Sequence, residues 1–326
     1  MTTRLPCPAK LALLTLAVLL GRSLGLAQGD YRKGLSHFQQ GQYREAIDEF
    51  EPLVKEHPDY EGGHRVLGLS YLHLKQYEKA ISALRAALRL KQDAVETYLG
   101  LAQAYFNSKR FREVIPTLNQ AVPYAKSPKS RYDLLRMRGS AAYNLAQYEL
   151  AVSDLQEATG IQKGNSNELL QLGLAHYHLK QLDPAQQALQ QVLSLDPDHE
   201  QARRFLLMIA YQKGVGMIEE GRYGDAAQAI ATYTQQFPED AEAWFNLGLA
   251  YLFAGNLEAA KAAFLRDIGL RPDKSGESFD RLGYIYEKKK EYEKALVHYQ
   301  KAAELTGSGE SRSSVARIRR RLKQSG

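Results

Sequence analysis

Three stretches of this chain hold residues of the kinds that do chemistry, and the first is rich in glycine. QKGVGMIEEGRYGDAA, residues 212–227, sets Gly214, Gly216, Gly221 and Gly224 close together. Closely spaced glycines let backbone amides approach the phosphates of a nucleotide. The order does not match G-x-G-x-x-G, no Lys-Ser/Thr pair closes a phosphate loop, and the glycines follow an expected helix instead of a strand. The second stretch, HYH, offers His176 and His178 as a metal pair. Residues two apart on a helix point about 200° apart, so the two rings do not readily chelate one ion. The third, DPDHE at 196–200, has the acidity of a calcium loop but stands where a turn between helices is expected. Spacing suggests no Ser/His/Asp set. The expectation is therefore of no catalytic residue, no cofactor, no metal site and no enzyme.

The elements that would position any site follow from composition and period. With 44% hydrophobic and 25% charged residues among 326, the chain has enough apolar material for a substantial core. Arg4 and Lys10 precede an apolar run from Leu11 to Leu20, which leads to the small residues Gly25 and Ala27. That is the layout of a secretory signal peptide, with cleavage expected after Ala27. The run falls short of the roughly 20 residues a membrane span needs, although an uncleaved anchor is the alternative. Cys7 lies ahead of the apolar run, so the mature chain would be free of cysteine and independent of disulfides and cysteine-held metal. An exported chain, periplasmic or secreted, is expected, with no transmembrane span once mature. Of the formal charge of +6, Arg4, Lys10 and Arg22 would leave with the leader, while the last seventeen residues hold six basic groups and one acid. The body between is near neutral, so a general affinity for nucleic acid is not implied.

A period of 34 runs through the chain. Its clearest copy, AEAWFNLGLAYLFAGNLEAAKAAFLRDIGLRPD, carries Trp244, Leu247, Gly248, Tyr251, Ala260, Phe264 and Pro272, and the same frame starts near residues 27, 61, 95, 132, 166, 207, 241 and 276. Frame position 20 is Ala46, Ala80, Val114, Ala151, Ala185, Ala226, Ala260 and Ala295, and position 24 is a large residue throughout. Positions 4, 7, 8 and 11 make one stripe of a first helix, and positions 20, 24 and 27 the facing stripe of a second. Small residues at 8 and 20 let the two backbones approach. Gly41, Gly221 and Gly255, near position 15, end the first helix, and prolines near position 32 end the second. A single hairpin cannot bury its apolar face, so the copies must stack. Seven residues, Glu200 to Leu206, precede the sixth copy, with Ala202, Phe205 and Leu206 at helical spacing, and are expected to add two turns to its first helix. The extra glycines Gly216 and Gly224 just beyond them mark a flexible joint. The expected division is signal peptide 1–27, repeats one to five 28–199, repeats six to eight 200–309, and a basic capping helix 310–326. In that helix Val315, Ile318 and Leu322 form an apolar stripe.

These residues fill the signature of the tetratricopeptide repeat, and the chain resembles that family over nearly all its mature length. The resemblance implies an all-α fold, an α-solenoid wound as a right-handed superhelix, whose first helices line a concave groove for a peptide or partner protein. Positions 2, 5, 9, 12 and 13 of the first helices commonly make the groove contacts in the family. Carried over, position 12 gives Phe38, Leu72, Phe106, Tyr143 and Tyr177 as an apolar track, widened by Leu69, Phe245, Leu249 and Tyr284. The same residues equally suit packing against the adjacent repeat. Position 13 gives a polar ladder of Gln39, His73, Asn107, Asn144 and His178, beside Gln103 at position 9. Such groups donate and accept hydrogen bonds and suit an extended peptide backbone, though polar residues also simply suit the end of a helix. A clamp for a C-terminal carboxylate, with lysine at position 5 and asparagine at 9, is not matched by Arg65 with Leu69 or by Arg136 with Ser140. The two arginines are expected to meet an acidic side chain instead. The function that follows is a non-enzymatic scaffold in bacterial cell-envelope assembly or export. Its rival is a surface-attachment protein whose basic C-terminal helix binds anionic lipid, glycan or nucleic acid while the repeats act as a spacer.

Overall fold

The computed structural model describes residues 31–325, and the expected leader, with Cys7 and its cleavage site, lies outside them. The described residues form helical hairpins followed by one last helix, and they divide into two compact units, the first ending at Gln181 and the second beginning at Leu182. The first unit holds α1 (31–39), α2 (Tyr43–Glu56), α3 (Glu61–His73), α4 (Tyr77–Leu90), α5 (Val95–Asn107), α6 (Phe111–Ala121), α7 (Pro128–Asn144), α8 (Tyr148–Ile161) and α9 (Ser166–His178). The second holds α10 (Leu182–Leu195), α11 (Glu200–Glu219), α12 (Tyr223–Gln236), α13 (Ala241–Phe253), α14 (Leu257–Leu270), α15 (Gly276–Lys288), α16 (Tyr292–Thr306) and α17 (Gly309–Ser325). The boundary between the units lies between the two helices of the fifth copy, whereas the sequence division stands at Glu200.

The hairpin core is built as the period requires. Every position-20 residue named above is fully buried, and so are Phe50, Leu84, Leu118, Leu155, Leu189, Ile230 and Phe264 at position 24, with Tyr299 close behind. The small residue at position 8 is a matter of close approach: a Cβ on Gly68 would sit 2.6 Å from Leu84, and one on Gly248 2.6 Å from Phe264. Between the helices of each copy the chain passes through the left-handed region at position 15. Gly41, Gly221 and Gly255 do so without penalty, but Lys75, Lys109, Ala146, Lys180 and Lys290 do so as well.

Side-chain caps fix several of the helix starts. Asp240 accepts the Ala243 amide at 3.1 Å, and Ser127 and Ser130 form a reciprocal capping box ahead of α7. The acidic stretch at 196–200 is spent the same way: Asp196 accepts the Asp198 amide, and the His199 ring accepts that of Ala202. The seven-residue insertion extends α11 to 20 residues, as its spacing requires.

In the first unit, α3, α5, α7 and α9 touch one another in turn, and each second helix joins the first helices on either side of it. The layer of first helices is the tighter one and forms the inner face of that stack. A half-buried Arg138 binds the buried Asp154 through two hydrogen bonds of 2.7 Å and Asn119 at 2.8 Å, tying α7 to α8 and α6. At the far end of the second unit α17 docks as a cap: Ile318 is fully buried against Ala295 and Tyr299, with Val315 and Leu322 beside it.

Candidate functional site

On the inner face of the first unit, position 13 is the exposed register. Gln39, His73, Asn107, Asn144 and His178 are all exposed, one at the end of each of α1, α3, α5, α7 and α9. Asn107 accepts a hydrogen bond from Gln103 through Oδ1 at 2.7 Å, which leaves its NH2 group open. Asn144 donates to the Ser140 carbonyl at 2.7 Å, which leaves its amide oxygen open. Neighbouring rungs therefore offer a donor and an acceptor, the pair an extended peptide backbone presents in return. The two histidine rungs are held by rings of the preceding copy. His73 stacks on Tyr43 at 4.2 Å with the planes parallel to 1°, and His178 stacks on Tyr148 at 4.5 Å. Burial of the ring face against its neighbours lowers the His73 pKa, which favours the uncharged ring.

At position 12, which suited either an apolar track or packing on the adjacent repeat, the contacts are packing contacts. Phe38 meets Tyr43 and His73 edge-on, Phe106 meets Phe111, and Tyr143 meets Tyr148, so these residues pack on the start of their own second helix and the next copy. Leu72 is half-buried within the same core and Tyr177 is buried outright. Leu69 reaches towards Gly100 of the following copy, where a Cβ would lie 2.8 Å from it. The track is thus a half-buried seam beneath the ladder. Each of the two arginines faces a carboxylate of this chain: Arg65 lies 3.3 Å from Glu61, and Arg136 lies 3.8 Å from the buried Glu168. Glu168 also accepts from Tyr132 at 2.7 Å and Asn165 at 2.8 Å, yet burial raises its pKa and one of its oxygens has no partner.

In the second unit, Phe245 and Leu249 are half-buried beside Phe264, while Tyr284 is 39% exposed with the Lys288 ammonium over its ring. Position 13 continues there as Glu219, Phe253 and Lys288, all exposed, and loses its amide character. Glu287, the one charged residue at position 12, is explained by α17: it accepts from Arg317 at 2.8 Å and Tyr299 at 3.0 Å. The guanidinium of Arg317 holds its carboxyl below the usual range. The sequence marks this exception without its reason, which lies thirty residues away.

The suspect chemistry of the sequence resolves into structure. His176 is buried with its Nδ1 2.6 Å from Gln181, repeating the 2.6 Å contact of His37 with Gln42 in the first copy. Gly214 fits over Ile230 and Gly221 makes the left-handed turn. Among the described residues no three His, Cys, Asp or Glu side chains gather as a metal cluster would, and no helix is long and apolar enough to cross a membrane.

Sequence models of the tetratricopeptide repeat match residues 31–95, 71–137, 169–199, 218–274 and 276–308, together more than two thirds of the chain. The chain belongs to the tetratricopeptide-repeat family. That fold is a scaffold for protein–protein interaction. The chain is similar to ER membrane protein complex subunit 2 of Xenopus tropicalis, with 32% identity over 124 residues, 38% of this chain and 39% of that protein. It is similar to anaphase-promoting complex subunit 3 of Schizosaccharomyces pombe, with 36% identity over 78 residues, 24% of this chain and 11% of that protein. The chain thus spans well under half the length of the curated relatives it matches. Among solved structures it is similar to YrrB, described as a TPR protein with an unusual peptide-binding site, at 19% identity and a TM-score of 0.41, covering 69% of this chain and 93% of that one.

Proposed function

We propose that this repeat protein holds a partner protein through an extended segment laid along the inner face of the first unit. The observation that carries this reading is the exposed position-13 ladder, in which the open NH2 of Asn107 and the open oxygen of Asn144 stand on adjacent copies. The half-buried seam of Phe38, Leu72, Phe106 and Tyr143 lies beside it and supplies apolar contact for side chains of the segment. A protein is the favoured partner because the relatives are named as subunits of multiprotein complexes. Binding needs neither cofactor nor turnover. The leader-like residues 1–27 favour an exported scaffold acting in the assembly or export machinery of a bacterial envelope. Capture of partners from that envelope by the full chain, compared with an Asn107→Ala/Asn144→Ala variant, tests the reading. Loss of the captured species in the variant, with helix content retained, is expected; unchanged capture removes the ladder from the account.

A further inference from the structure

The outer layer of the first unit holds a cleft away from the inner ladder. Because the stack is tighter along its first helices, a cleft of about 560 Å³ opens between the second helices α4 and α6. Its floor is the outward side of α5, where the rings of Tyr98 and Tyr105 lie almost wholly buried. One wall carries Arg85 and Arg89, a helical turn apart on α4, and the other carries Gln120 of α6. Tyr124, 37% exposed, closes one end.

The charge of this cleft is unanswered. Its lining includes no carboxylate, and neither Arg85 nor Arg89 makes an ion pair among the described residues. Arg110 nearby shows the contrast: it also covers the Tyr105 ring, but it pairs with both Glu78 and Glu113. Asp93, just past α4, is turned to Lys91 at 4.0 Å. Arg85 keeps its guanidinium 5.7 Å from the Tyr105 centroid, which fixes one arginine over the floor while Arg89 remains exposed at the rim. Like charges four residues apart on a helix repel and are relieved when an anion binds between them. Arginine's planar fork matches a carboxylate, and the aromatic floor accepts an apolar side chain next to it.

We infer that this outer cleft binds an acidic peptide segment, its Asp or Glu carboxylate on Arg85 and Arg89 and an adjacent apolar side chain on the Tyr98 and Tyr105 floor. The inference is independent of the inner ladder. To test it, a fluorescein-labelled peptide of Glu and Phe residues separated by Ser is titrated with the full chain and followed by anisotropy. Its counterpart with Gln in place of Glu is run beside it. The acidic peptide is expected to bind, to weaken as salt rises, and to lose about tenfold in affinity in Arg85→Gln/Arg89→Gln. Arg89→Gln alone, at an exposed position that leaves the core intact, is expected to lose part of this. The Asn107→Ala/Asn144→Ala variant is expected to bind it as the parent does. Absence of binding, equal binding of the Gln peptide, or affinity unmoved by both arginine variants overturns the inference. Binding to vesicles of anionic lipid that depends on Arg89, with none to the peptide, also overturns it and makes the cleft a membrane contact.

Discussion

Ala146 occupies the left-handed region at φ 56°, at the frame position where the first, sixth and seventh copies use glycine. A Cβ in that region is crowded against the following carbonyl and costs roughly 1–2 kcal/mol, only part of which is returned by alanine's smaller chain entropy. Ala146→Gly is therefore expected to stabilise the first unit by about 1 kcal/mol, read as a higher denaturant midpoint at unchanged slope. A lower midpoint would show that the turn is not strained. The residue scale is also where sequence and structure diverge most. The sequence leaves open which acids Arg65 and Arg136 meet, because their partners answer to different rules: Glu61 is one helical turn away, but Glu168 belongs to the next copy and meets Arg136 only once the copies stack. Position 12 was ambiguous for the same reason. Whether Phe106 faces outward or packs depends on Phe111 at the start of α6, and the period alone does not weigh that contact.

At the scale of elements, α11 and α17 carry the departures from the repeat. Gly216 lies inside α11 with nothing within 4 Å of where a Cβ would be, so alanine fits without displacing a neighbour. Gly216→Ala is expected to stabilise that helix by about 1 kcal/mol and to slow hydrogen exchange of its amides. Exchange no slower than in the parent would count against the soft joint inferred from these glycines. The α17 cap is locked by Glu287, whose pKa in the fold is lowered chiefly by the hydrogen bond from Arg317, then by Tyr299 and the charge of Arg321. A depressed carboxylate pKa adds stability above the unfolded value and loses it as pH falls through the folded one. Arg317→Ala should thus lower the melting temperature at neutral pH, with the difference shrinking from about pH 5 downward. A difference that persists undiminished at acid pH would mean that the arginine acts by packing on Tyr299 instead. The α17 stripe was legible in the sequence because Val315, Ile318 and Leu322 follow the helical period. The pairing that spends two of its basic groups was not, since it needs Glu287 of another helix.

For the whole molecule, architecture was readable because the copies repeat one packing rule, with a small residue at positions 8 and 20, Val114 alone departing, and a large one at 24. Errors at single positions do not disturb a pattern repeated along the chain. The outer cleft had no such redundancy: Arg85 and Arg89 come from the second copy and Tyr98 and Gln120 from the third, and nothing in a 34-residue frame brings them together. The inner ladder was carried over from the family resemblance and acquires its exposure and its open hydrogen-bonding groups only in the fold. The central claim is that a partner segment lies along that ladder. Photo-crosslinking residues placed at Asn107 or Asn144 on the inner face, or at Ser153 or Gln156 on the exposed side of α8, test it most directly in the presence of the captured partner. Crosslinks from the inner positions and none from α8 are predicted, whereas crosslinks from α8 alone would contradict the account.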